Sequence, residues 1–299
     1  MGEPDGPGAP PPGAIERLYA LVRAAAPPAP TEVTAEPHEV APGIRVLALP
    51  TPTLPPATHT NVYLVGPAHG PVAVVDPGSP YPAAQAALDR VLDSARPGAV
   101  LLTHHHGDHV GGAAALAARW GVPIAAHART AARLARRLVV DRLLDDGDAL
   151  YGATALATPG HADGHLCFAV GDAVIAGDLV AGLGTILIDP EDGDMAVYLA
   201  SLERLLARPP MTLLPAHGPP IPDGHAKLRE YLAHRRAREA LVRAALTEAP
   251  RPLADLVADA YRDTPRALWP LAERSLLAHL LKLARDGLAR DAGDRRWSR

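Results

Sequence analysis

Residues 103–112 read Thr-His-His-His-Gly-Asp-His-Val-Gly-Gly, directly after the apolar run at 99–102. His104, His106, Asp108 and His109 thus fall within six positions. Neutral imidazoles with a carboxylate form a nitrogen/oxygen donor set that suits zinc or iron. In an extended turn, positions i and i+2 share a side, so His104 and His106 can grip one metal. Asp108 and His109 lie past a bend at Gly107 and can reach a second. A histidine tag explains none of this, because a tag sits at a terminus, carries no interleaved Asp and follows no buried strand.

Further donors lie far along the chain, each at the end of an apolar run. Thr158-Pro159-Gly160-His161-Ala162-Asp163-Gly164-His165 follows one such run, Asp178 ends the strand pattern at 173–177, and His217 follows Leu213-Leu214-Pro215-Ala216. Strand followed by Gly-flanked donor, three times over, is how loops at one sheet edge converge on a site. Singly, each His or Asp also reads as a turn residue or a satisfied polar group; the first cluster is what turns them into candidates.

Taken in order, these motifs resemble the metallo-beta-lactamase superfamily: Asp76 in Val74-Val75-Asp76-Pro77-Gly78, the cluster from His104 to His109, then His161, Asp178 and His217. The resemblance covers roughly residues 44–225. It implies two zinc ions per chain, one held by His104, His106 and His161, the other by Asp108, His109 and His217, with Asp178 bridging. It also makes Asp76 a carboxylate that orients ligands without binding metal, although a turn-forming Asp before Pro-Gly fits the same residues. Diiron redox relatives carry Glu at one cluster position, whereas Asp108-His109 keeps the hydrolytic pattern.

The elements that must position these residues are legible from periodicity. Strand patterns occupy 44–49, 61–65, 72–75, 122–127, 166–170 and 173–177. Helical spacing covers 15–26, 81–93, 113–120 and 195–206. The expected fold class is therefore α/β, and the resemblance makes it a four-layer αββα sandwich, two sheets face to face with helices outside. A Pro-rich loop at 50–60 is expected to overhang the site. His127 is expected to be structural, and His105 to face solvent. The 39-position step from Asp178 to His217 is too short for the large inserted domain of the superfamily's nucleic-acid-processing branch.

Beyond about residue 225 the pattern changes. Long helices are expected at 226–246, 252–260 and 271–286, with a hairpin at 288–297. Three helices and a hairpin outline a small winged-helix-like domain. The expected division is a disordered tail at 1–13, a catalytic domain at 14–225 and the winged-helix-like domain at 226–299. In nucleic-acid binders of this shape the penultimate helix would present Arg274, His279, Lys282 and Arg285. The alternative is that the module packs on the catalytic domain and shapes its mouth, since Leu276, Leu277, Leu280 and Leu281 need burial. Sandwich followed by winged helix resembles the beta-lactamase-like protein 2 subfamily, endoribonucleases acting on single-stranded RNA. His161-Ala162-Asp163-Gly164-His165 is instead closer to glyoxalase II and thioesterase relatives.

Composition limits the remaining classes. With 299 residues, 48% hydrophobic and only 4% aromatic, the core must be built from Leu, Val and Ala. The lone cysteine, Cys167, sits inside a strand pattern and reads as a small core residue, which excludes an internal disulfide. No apolar run approaches the roughly 20 residues needed to cross a bilayer. Residues 1–13 lack the basic start and apolar segment of a secretory signal, so a cytoplasmic protein is expected. The net charge of -4 conceals 16 basic against 10 acidic residues after position 225. That surplus suits a polyanion or a solvated helix face equally.

The expected chemistry is hydrolysis by a metal-activated hydroxide, with Asp108 orienting the nucleophile and passing a proton to the leaving group. His165 is expected either to donate a hydrogen bond to an intermediate or to serve as a core histidine. The substrate is expected to be single-stranded RNA or a small acyl thioester. Scarce aromatic residues weigh against base stacking. A DNA-binding regulator would leave seven intact ligand positions unexplained.

Overall fold

The computed structural model describes residues 30–299. The expected tail at 1–13 and helix at 15–26 lie outside the described residues. Two sheets form the centre. The first holds seven strands in sequence order: β1 (His38–Ala41), β2 (Ile44–Pro50), β3 (His59–Val65), β4 (Val72–Val75), β5 (Pro97–Leu101), β6 (Ile124–Ala126) and β7 (Arg142–Leu143). The second holds β8 (Ala149–Leu150), β9 (Ala153–Ala157), β10 (Leu166–Val170), β11 (Ala173–Gly177) and β12 (Thr212–Pro215), in the order β12-β11-β10-β9-β8.

Small and branched side chains pack the space between the sheets, where Ile44, Tyr63, Val75 and Leu101 meet Ala155, Leu166, Phe168 and Ile175. Outside the first sheet lie α1 (Pro82–Ala95), the short α2 (Gly107–Val110), α3 (Ala113–Trp120) and α4 (Ala128–Leu134). Leu88, Leu92, Leu116 and Leu134 of this layer bury against Val62, Val74 and Val100. Outside the second sheet lie α5 (Met195–Leu206) and α6 (Gly224–Ala245), with Tyr198, Leu202 and Leu228 against Val174 and Leu213. Three stacked apolar interfaces make four layers, as expected. The helix α4 went unread in the sequence; the His127 imidazole caps it by accepting the Arg129 N–H at 3.2 Å, which is the structural role expected of His127.

Strand direction brings the donors to one edge. β4 and β5 run parallel, as do β11 and β12, while β9 and β11 each pair antiparallel with β10. The carboxyl ends of β4, β5, β9, β11 and β12 are followed by Asp76, His104, His161, Asp178 and His217 respectively.

Behind α6 come α7 (Leu253–Ala260), α8 (Trp269–Arg285) and a three-stranded sheet of β13 (Arg251–Pro252), β14 (Arg290–Asp291) and β15 (Arg296–Ser298). Leu256, Leu276, Leu280 and Trp297 give this module its own core. The basic side chains of α8 are paired, with Arg285 doing so at the surface. Arg274 pairs with Asp189 at 2.7 Å, Arg285 with Asp194 at 2.6 Å, Lys282 with Glu239 at 2.9 Å, and His279 is fully buried. The side chains that a groove-reading helix would present are thus engaged, two of them with the catalytic sandwich. The alternative in which the module packs there holds. No described helix is long and apolar enough to cross a membrane.

Candidate metal centre

Close backbone approach builds the first loop. Asp76 stands in the left-handed region at φ 50°, which Asp tolerates better than most residues. Gly78 passes so near α2 that a Cβ would lie 1.7 Å from the Asp108 carbonyl oxygen. Asp76 then binds three donors: Thr103 N–H at 2.8 Å, the Thr103 hydroxyl at 2.6 Å and His109 Nδ1 at 2.8 Å. It orients the cluster, as the resemblance implied.

Hydrogen-bond partners set each imidazole's tautomer, because a carbonyl or carboxylate can only accept. His109 Nδ1 donates to Asp76, His161 Nδ1 to the Leu187 carbonyl at 2.8 Å, and His217 Nδ1 to the His59 carbonyl at 2.9 Å. His106 Nε2 donates to Asp192 at 2.7 Å. The Thr103 hydroxyl spends its proton on Asp76, so it accepts from His104 Nδ1 at 3.0 Å. In its neutral form every ring therefore turns a lone pair inward: His104 Nε2, His106 Nδ1, His109 Nε2, His161 Nε2 and His217 Nε2.

Those lone pairs converge in two groups. His104 Nε2 and His161 Nε2 lie 2.9 and 3.0 Å from His106 Nδ1. Asp108, His109 and His217 form the second group, with His217 Nε2 3.6 Å from the Asp108 carboxylate. Asp178 stands between, its oxygens 3.6 Å from His109 Nε2, 3.6 Å from His161 Nε2 and 3.4 Å from His217 Nε2. Buried His109 Nε2 and Asp178 Oδ1 have no hydrogen-bond partner. Converging lone pairs and orphaned buried acceptors repel one another, and a shared cation removes that repulsion. The donor set fits a metal.

Electrostatics agree. Burial, aided by the neighbouring imidazoles, holds His104 well below the ordinary value and lowers His161 to about 4, so both are neutral near pH 7. Burial also opposes charge on His109, but Asp178, Asp76 and Asp108 outweigh it and raise that pKa well above 6.5. The pocket favours positive charge at its second group.

One alternative for His165 is excluded, and the expectation for His105 needs correction. His165 cannot donate toward an intermediate: its Nε2 accepts the Asp178 N–H at 3.1 Å and its Nδ1 bonds the Thr158 hydroxyl at 2.9 Å. It is 1% exposed and fixes the end of β11, where Gly177 at φ 49° leaves no room for a side chain beside it. His105 does not face solvent either; its Nε2 lies 3.1 Å from Asp192. Cys167 is buried, its thiol pushed up to about 12 by burial, as befits a core residue.

Asp192 itself went unread. No apolar strand leads to it, and its role depends on the loop between β11 and α5 folding back over His106. That loop also supplies the Leu187 carbonyl to His161 and Asp189 to Arg274, so the C-terminal module grips the segment that aims two donors. Asn61, at the start of the strand pattern at 61–65, donates to the carbonyls of Pro215 at 2.9 Å and Gly218 at 2.8 Å, holding the His217 turn.

A cleft of about 420 Å³ opens over the centre. His106, Asp108, His161, Asp178 and His217 line its floor. Residues 52–57 of the Pro-rich loop overhang one side, as expected, and Leu183, Ile186, Leu268 and Leu271 make an apolar wall reaching to the C-terminal module.

Comparison with known proteins agrees with this architecture. Residues 55–217 match the metallo-beta-lactamase superfamily, and 253–297 match the beta-lactamase associated winged helix domain. The chain is 29% identical over 249 residues to the beta-lactamase-like protein 2 homolog of Drosophila melanogaster, covering 77% of this chain and 84% of that protein. It is 32% identical over 260 residues to the atrochrysone carboxyl ACP thioesterase of Claviceps purpurea, covering 80% of each. The crystal structure of a beta-lactamase domain protein from Burkholderia ambifaria superposes with a TM-score of 0.77 at 26% identity, over 90% of this chain and 95% of that one. With its donors at one sheet edge and its helical module behind, the chain belongs to the metallo-beta-lactamase superfamily of hydrolases.

Proposed function

We propose that the protein is a metal-dependent hydrolase of small acyl thioesters, using two zinc ions per chain. His104, His106 and His161 would hold one ion, Asp108, His109 and His217 the other, and Asp178 both. When bound, such a pair supplies a water-derived nucleophile near neutral pH and polarises the electrophilic oxygen. Asp108, at the cleft floor, accepts the proton of the attacking water and passes it to the leaving thiol. Asp76 and Asp192 hold the imidazoles in the required tautomers. The cleft's apolar wall seats the acyl chain.

The observation that carries the substrate class is the apolar wall of Leu183, Ile186, Leu268 and Leu271 beside the donors, which suits an acyl chain. The engaged cations of α8 leave little for a phosphate backbone. A thioesterase name among the relatives supports the same reading. A cytoplasmic location belongs to it as well. The test is a panel of acyl thioesters, oligoribonucleotides and a beta-lactam, run with and without chelator alongside metal analysis. Chelator-sensitive thioester cleavage is expected; cleavage of RNA alone, or bound metal without thioester turnover, would overturn the substrate class.

A further inference from the structure

One wall of the cleft holds a cation whose counter-charge is missing. Arg235 of α6 is 2% exposed and lines the cleft. Its Nη2 donates to the Thr185 hydroxyl at 3.1 Å and to the Ile186 carbonyl, its guanidinium lies 5.4 Å from the centre of the Tyr198 ring, and its buried Nε has no partner. Among the described residues no carboxylate pairs with it. Its neighbours differ: Arg238 binds Asp263 through both nitrogens at 2.9 Å, and Arg285 binds Asp194 in the same forked manner. A buried charge is held economically only when an opposite charge meets it.

A second orphan faces the same cleft. Tyr261, 6% exposed, has a buried hydroxyl that makes no well-formed hydrogen bond, although Ser275 is beside it. Arg238 lies over its ring at 4.3 Å and fixes the ring's position. Two buried donors, one of them charged, with no carboxylate between them describe the complement of an oxyanion. A carboxylate is acceptor-only and takes charge-assisted bonds from such a pair.

We propose that Arg235 and Tyr261 form a subsite for a carboxylate at the end of the acyl chain remote from the scissile bond. The inference rests on the hydrolase reading above. The cleft then reads from end to end: candidate metal donors at the thioester, Leu and Ile along the chain, and a guanidinium with a phenol at the terminal carboxylate. The substrate class is the ω-carboxyacyl thioester.

The test compares N-acetylcysteamine thioesters of succinate, adipate and suberate with those of butyrate, hexanoate and octanoate on the metal-loaded protein. At the best chain length kcat/KM should favour the carboxylate-bearing member by about tenfold or more, chiefly through KM. Arg235→Met should bring that ratio close to one. Tyr261→Phe, which removes only an unbonded hydroxyl and so preserves folding, should lower it several-fold. Equal rates for both members of every pair, or a preference that survives both substitutions, would overturn the proposal. A calorimetric titration with adipate and hexanoate needs no turnover. Selective adipate binding that Arg235→Met abolishes supports the subsite even if no thioester is hydrolysed, whereas equal binding of the two acids counts against it.

Discussion

Asp192→Ala isolates the part played by a residue that binds no metal in the proposed scheme. Its carboxylate takes the His106 Nε2 proton at 2.7 Å and lies 3.1 Å from His105 Nε2. These contacts outweigh the effect of burial and depress its pKa well below the carboxylate range. Without this acceptor the His106 proton can sit on Nδ1, which faces His104 and His161, and the lone pair is lost. Partners of this kind are worth roughly 10- to 100-fold in metal affinity, or about 1.4–2.7 kcal/mol. The side chain is only 12% exposed and bonds two imidazoles, so folding stability should also fall, by about 1–3 kcal/mol. Zinc titration of chelator-stripped protein against a chromophoric competitor reads both sites. One site should weaken by the stated factor while the site of Asp108, His109 and His217 keeps its affinity. Asp192→Asn, whose amide oxygen still accepts, should recover part of the loss. Wild-type affinity at both sites in Asp192→Ala, or an equal fall at both, would refute the tautomer argument.

Under the proposed scheme Asp178 serves both ions, so Asp178→Ala should lower zinc content below two per chain and cut kcat at least about 100-fold, as measured by metal analysis and steady-state rates. Arg274→Ala leaves Asp189, 3% exposed, without its guanidinium. Because Arg274 is partly exposed, the cost should be about 1–3 kcal/mol, below the full value for a buried pair, read from denaturant midpoints. In metal-free protein, acid should destabilise the fold through His161, whose folded pKa is depressed to about 4 from 6.5. The unfolded chain takes up the proton first, so stability is lost as pH falls from about 6.5 to 4 and the loss levels off below, with a magnitude of about 3 kcal/mol. Urea unfolding at stepped pH checks this; stability that is flat across the window would contradict the neutral, buried assignment.

The order of donors along the chain was legible because each follows an apolar strand and is flanked by Gly or Pro. A strand buried on both faces has few ways to be written other than Val, Leu, Ile and Ala. The helices at 113–120 and 195–206 were equally plain, since 3.6-residue spacing of Leu and Ala reflects a single buried face. The two readings of His165 stay open in the sequence because spacing from His161 says nothing about where the ring points. Only the pairing of β10 with β11 places Asp178 N–H against its Nε2. Asp192 and Tyr261 carry no local signal, and nothing in the spacing around Arg235 marks it as a buried charge. Their meaning comes from a loop folding over His106 and from α6, α7 and α8 closing one cleft, contacts between residues far apart in sequence. The chain's local pattern thus determined which side chains could do chemistry and which elements carry them. Tertiary packing decided which nitrogen of each ring faces inward and which buried charges go unanswered, because both depend on partners that no periodicity encodes.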